Sequence, residues 1–160
     1  MTPPVASPPP APSALRTILF AGLLAGALDL GCVLVYFHAA DPLAILRGIA
    51  AGLLGPEARK GGVVLAMLGL ALHFIIALGA AAVFYAASQR VRALVAHPWV
   101  SGLLYGAVVW LVMNLVVLPL SATPPKNFPG PNWLPILIAH LVCVGPPIAW
   151  VARHGERDAH

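Results

Sequence analysis

The sequence predicts an all-α membrane protein, with four transmembrane helices plus one short interfacial or re-entrant helix. Three observations predict it. The 160-residue chain is 60% hydrophobic and only 9% charged, against roughly 25% charged for an ordinary soluble domain, and its mean hydropathy is +0.90. Residues 61–89 run without one Asp, Glu, Lys or Arg, and about 20 apolar residues in a helix cover the ~30 Å hydrocarbon core of a bilayer. Three more apolar stretches of similar reach flank that one. The length allows one bundle and no second domain.

Residues 1–14 hold Pro3, Pro4, Pro8, Pro9, Pro10 and Pro12 and no charge. That composition cannot bury a core and predicts a disordered, polyproline-like tail. Arg16 leads into a first span over 17–38. A cleaved signal peptide is the alternative for this stretch, but it is too long, carries Asp29 and shows no small-x-small pair near His38 and Ala40. A central Asp costs about 2.5–3.5 kcal/mol on insertion, and each Leu, Ile, Phe or Val returns about 0.3–0.6. Ile18, Leu19, Phe20, Leu23, Leu24 and Leu28, with further apolar residues beyond Asp29, offset that cost.

Asp41-Pro42 reads as an N-cap followed by proline at the first helical position, and Gly55-Pro56 as a stop. Between them Leu43, Leu46, Ile49, Ala50 and Leu53 share one stripe. About thirteen residues cannot span, so 42–54 is the interfacial or shallowly re-entrant helix. Glu57, Arg59 and Lys60 mark the return to water. The second span covers 62–87, and a connection with Arg90 and Arg92 leads through His97-Pro98-Trp99 into the third, 99–118. Leu118-Pro119 closes it. A proline-rich loop follows, with Lys126 its one charge, and the fourth span covers 133–152. Residues 15–153 thus form one transmembrane domain, and 154–160 a polar tail. Trp99, Tyr85 and Trp150 suit one interface and Tyr36 and Trp133 the other, as an aromatic belt requires.

The net charge of +4 does not mark a nucleic-acid partner, because the Lys and Arg residues sit where helices meet water. Arg16, Arg90, Arg92, Arg153 and Arg157 flank the terminal side, and Arg47, Arg59, Lys60 and Lys126 the other. The positive-inside bias then favours both termini in the cytoplasm. Cys32 and Cys143 fall inside spans and read as small buried apolar residues rather than a disulfide framework.

Each span carries one strongly polar group: Asp29, His73, Asn114 and His140. At 1.5 Å per residue all four fall on the non-terminal side of the midplane, roughly 3, 3, 8 and 4 Å from it. Gly22 and Gly26 share a stripe with Asp29, and Gly69 shares one with His73, surfaces that suit close helix packing. Gly102 and Gly106 form a third such stripe, with Asn114 about 80–120° away from it. Pro146 and Pro147 cannot donate to the carbonyls of Val142 and Cys143, which predicts a kink beside His140. Asp29, His73 and His140 are therefore expected to converge.

Three readings of this polar layer stand. It is interhelical glue, with hydrogen bonds worth about 1 kcal/mol or less each. Or it is a polar pathway or pH-sensitive element. Or His73 and His140 are axial haem ligands, or ligate a metal together with Asp29, in a membrane electron-transfer protein. Outside that third reading no cofactor is expected. No HExxH, GxSxG, phosphate-binding loop or carboxylate pair occurs, and Ser101 has no placed base, so no enzyme is expected.

The run His73-Phe74-Ile75-Ile76, Gly102 to Gly106, Pro119-Leu120 followed by Thr123-Pro124-Pro125, and Ala139-His140-Leu141-Val142 resemble the YagU-like family of bacterial inner-membrane proteins. The resemblance covers roughly residues 65–155, and the connection from His38 to Gly61 departs from it. It implies a polytopic inner-membrane protein and carries over no catalytic residues. The expected function is a non-enzymatic accessory or small transport-like component. Its expected partners are the lipid bilayer and other membrane proteins or further copies of itself.

Overall fold

Long charge-free apolar runs fold as helices because, away from water, each segment must satisfy its own backbone N–H and C=O groups. The computed structural model describes residues 14–38, 40–125 and 127–157, and these are all-α, with no strand among them. The expected proline-rich tail, apart from Ala14, lies outside the described residues, as do Lys126 and residues 158–160.

The first span is α1, Ala14–Tyr36, and the second is α3, Val63–Ser88. A short α4, Ala93–Ala96, fills the connection to α5, Pro98–Val112, which continues as a π turn over Met113–Val117. The fourth span is α6, Trp133–Ala139, then a second π turn over His140–Val144, then α7, Gly145–Arg157. Four helical spans are thus long and apolar enough to cross a membrane, and the chain is built as a polytopic membrane protein. The fourth runs past its expected end at 152. Its last turn is held against the first turn of α1, where a Cβ added at Gly155 would lie 2.6 Å from Thr17 Oγ1.

Helix α2 covers Pro42–Leu54. The Leu43 N–H donates to Asp41 Oδ1 at 2.9 Å, and Arg47 Nη2 reaches back to Asp41 Oδ2 at 3.0 Å. Gly55 ends the helix at φ 91°, a backbone that side chains disfavour. The middle of α2 presses on α3, where the Leu46 carbonyl occupies the space a Cβ at Gly69 would need. That contact lies about 9 Å into α3 at 1.5 Å per residue, so α2 sits beside its first turns. The Ala122 N–H donates to Gly52 O at 2.7 Å and ties the loop after α5 to α2.

Toward the chain termini the bundle closes on a core of small residues. Ala21, Ala25, Ala81, Ala149 and Ala152 surround the fully buried Phe84 and Ile148. Alanines let backbones approach without lipid between them. Tyr105 of α5 packs edge-on against Phe84 at 5.0 Å and donates its hydroxyl to Ala80 O at 2.6 Å. Tyr105→Phe should cost about 0.6 kcal/mol, the mean of measured intramembrane hydrogen bonds, and no more than their maximum of about 1.7. Unfolding titrations in detergent check this, and no measurable loss would contradict the assignment.

Candidate functional site

Asp29 lies on the face of α1 that Gly22, Ala25 and Gly26 keep close to the other helices, and it is only 8% exposed. Opposite it runs the π turn of the fourth span. Pro146 and Pro147 follow that turn directly and have no N–H to offer the preceding carbonyls. The helix answers by widening a turn, with the Gly145 N–H donating to His140 O. The kink expected from the two prolines is accommodated in this way.

The widened turn begins at His140, whose Nδ1 donates to Ile136 O at 2.9 Å. Asp29 Oδ1 stands 3.7 Å from that same nitrogen, too far for a hydrogen bond but within ion-pair reach. This oxygen is buried and has no hydrogen-bond partner. The arrangement holds either an imidazolium facing a carboxylate or two neutral groups. Moving between them moves a proton and changes the attraction between α1 and the π turn.

Cys32 and Cys143 are both free, Cys143 buried and Cys32 partly open. A shallow cleft lined by Cys32, Val33, Tyr36, Phe37, Ile136 and Ala139 opens beside Cys32.

His73 does not join the pair. Its Nε2 donates to Gly26 O at 2.8 Å, one turn before Asp29 on α1. A glycine leaves that side of the backbone open, and the imidazole takes the carbonyl instead of the carboxylate. Of the three residues expected to converge, Asp29 and His140 face each other directly, and His73 is anchored on the backbone of the same helix one turn from Asp29. Asn114 also stands apart, donating its Nδ2 to Trp110 O on its own helix at 2.9 Å. The Ser101 hydroxyl donates to the carbonyls of Leu94 and His97, the latter at 3.0 Å, and serves to bind the connection to α5. Among the described residues no three His, Cys, Asp or Glu side chains gather as a metal-ligand set.

The packing glycines lie where helices touch. A Cβ at Gly22 would meet the Leu78 backbone at 2.8 Å, and one at Gly26 would meet Phe74 at 2.9 Å. Gly102 approaches the Pro146 backbone, and Gly106 approaches the carbonyl of His140 itself. That second contact holds α5 against the π turn and fixes the height of His140. The residue that sequence reasoning missed is Gly145, whose missing side chain leaves room for the Gly102 carbonyl.

Compared with family models, curated proteins and solved structures, the chain matches none of them.

Proposed function

We propose that the chain is a multi-pass protein of a bacterial cytoplasmic membrane, a non-enzymatic accessory or small transport-like component whose working element is the Asp29–His140 pair. The observation that carries this reading is the buried, unpartnered Asp29 Oδ1 set 3.7 Å from an imidazole nitrogen. Intramembrane acids without such a role are rare, because a carboxylate in hydrocarbon costs several kcal/mol. The resemblance of residues 65–155 to the YagU-like inner-membrane proteins supports the location. Four spans leave little room for a pore within one protomer, so a pathway through the bilayer would need further copies of the chain.

The test is infrared difference spectroscopy of the protein in lipid nanodiscs between pH 8 and 5, the range in which imidazoles ordinarily change charge. A carboxyl band should appear in the wild-type protein and vanish in Asp29→Asn. A spectrum identical in both proteins across that range reduces the pair to mute packing.

Orientation is tested separately. With both termini in the cytoplasm, a single cysteine near Asn127 should react with a membrane-impermeant maleimide from outside, and one near His97 should not, in a background where Cys32 and Cys143 are serine. Outside labelling of the His97 side inverts the orientation.

A further inference from the structure

We infer that the end of the bundle nearest the chain termini is a docking surface for anionic phospholipid, whose phosphates are held by Arg90, Arg92 and Arg153. The inference is independent of the Asp29–His140 reading above and holds for either orientation in the membrane.

Several elements meet at that end. Gly155 of α7 lies against Thr17 of α1. Trp99, in the first turn of α5, meets Trp150 of α7 edge-on at 5.8 Å, and His154 stacks on Trp150 at 5.1 Å. Between α3 and α5, the short α4 is anchored by Val95 in the core, and Arg90, Val91 and Arg92 stand exposed just before it.

These arginines have no counter-charge among the described residues. Arg90 makes one long contact, 3.5 Å from Nη1 to Ala86 O. Arg92 and Arg153 make no ion pair there. The described carboxylates lie elsewhere: Asp29 is inside the bundle, and at the opposite end Asp41 holds Arg47 at 3.0 Å and Glu57 holds Lys60 at 2.9 Å. By sequence the terminal end carries five arginines against two acids, Glu156 and Asp158, so positive charge is left over for an outside partner.

The apolar side chains set among the cations select that partner. Val91, Trp99 and Val100 are each half exposed or more. A soluble acidic protein or a nucleic acid would meet the arginines and leave this apolar surface unsatisfied. A lipid headgroup layer meets both demands. Its phosphate oxygens fit the planar guanidinium forks, while the valines and the indole settle at the boundary with the acyl chains. A zwitterionic headgroup brings its own ammonium to compete for the phosphate, whereas a net-anionic one does not, so the surface favours the anionic lipid.

The experiment places the full chain in nanodiscs made from equal amounts of phosphatidylglycerol and phosphatidylethanolamine with identical acyl chains. Native mass spectrometry then reads the lipids retained on the released protein. Phosphatidylglycerol should exceed phosphatidylethanolamine by more than about tenfold, and Arg92→Gln and Arg153→Gln should each cut that ratio roughly fivefold. Arg59→Gln, which removes an exposed arginine at the opposite end, should leave the ratio unchanged. Equal retention of the two lipids by the wild-type protein overturns the inference. So does a preference that survives both terminal-end substitutions and falls with Arg59→Gln, or one that inorganic phosphate abolishes, which marks a site for a free anion. The wild-type ratio decides even if a variant fails to fold.

Discussion

Gly145→Ala should be among the most damaging single substitutions in the chain, costing about 3 kcal/mol or more, the upper end for overpacked sites. The added Cβ would overlap the Gly102 carbonyl oxygen and lie 2.6 Å from the Gly106 nitrogen. Each of these atoms is helix backbone, so no side chain can turn aside to relieve the clash. Either α5 separates from the fourth span or the π turn rearranges, and both outcomes move His140. Gly31→Ala and Gly79→Ala supply the contrast. Both glycines are helical and nothing stands within 4 Å of their missing Cβ atoms, so alanine there should gain up to about 1 kcal/mol of helix propensity. Unfolding in detergent, with protease resistance as a second readout, ranks the three. Equal stability of Gly145→Ala and Gly31→Ala would sink the claim that backbone contact holds α5 in place.

The contrast also shows what the sequence could and could not convey. The spans are legible because length and absence of charge are one-dimensional properties. Helix α2 is legible because Asp41-Pro42 and Gly55-Pro56 bracket it chemically. The packing role of Gly102 and Gly106 is legible from their spacing, but their partner is not. Gly145 stands next to two prolines and looks like punctuation, while its task is to receive another backbone. The π turns are equally hidden. Pro146 and Pro147 announce a disturbance without saying whether the helix bends or widens, and tertiary contact with Gly106 accompanies the widening. Sequence patterns rank side chains as partners, so the backbone carbonyl of Gly26 that His73 takes is not legible from them.

The second large effect is expected at Asp29. Its Oδ1 is buried without a hydrogen-bond partner and stands 3.7 Å from His140 Nδ1, which itself donates to Ile136 O. Breaking a buried pair by removing one partner costs about 3–5 kcal/mol, because the group left behind has nothing to balance it, and that is the loss expected for Asp29→Asn and for His140→Gln singly. Removing both partners leaves no stranded group, so the double variant should lose clearly less than the sum of the two. His73 supplies the control: it donates to Gly26 O and not to either member of the pair, so His73→Gln should add its own loss to that of Asp29→Asn without coupling. Unfolding in detergent measures the cycle, and losses at Asp29 and His140 that simply add would show that the two side chains do not act as a pair.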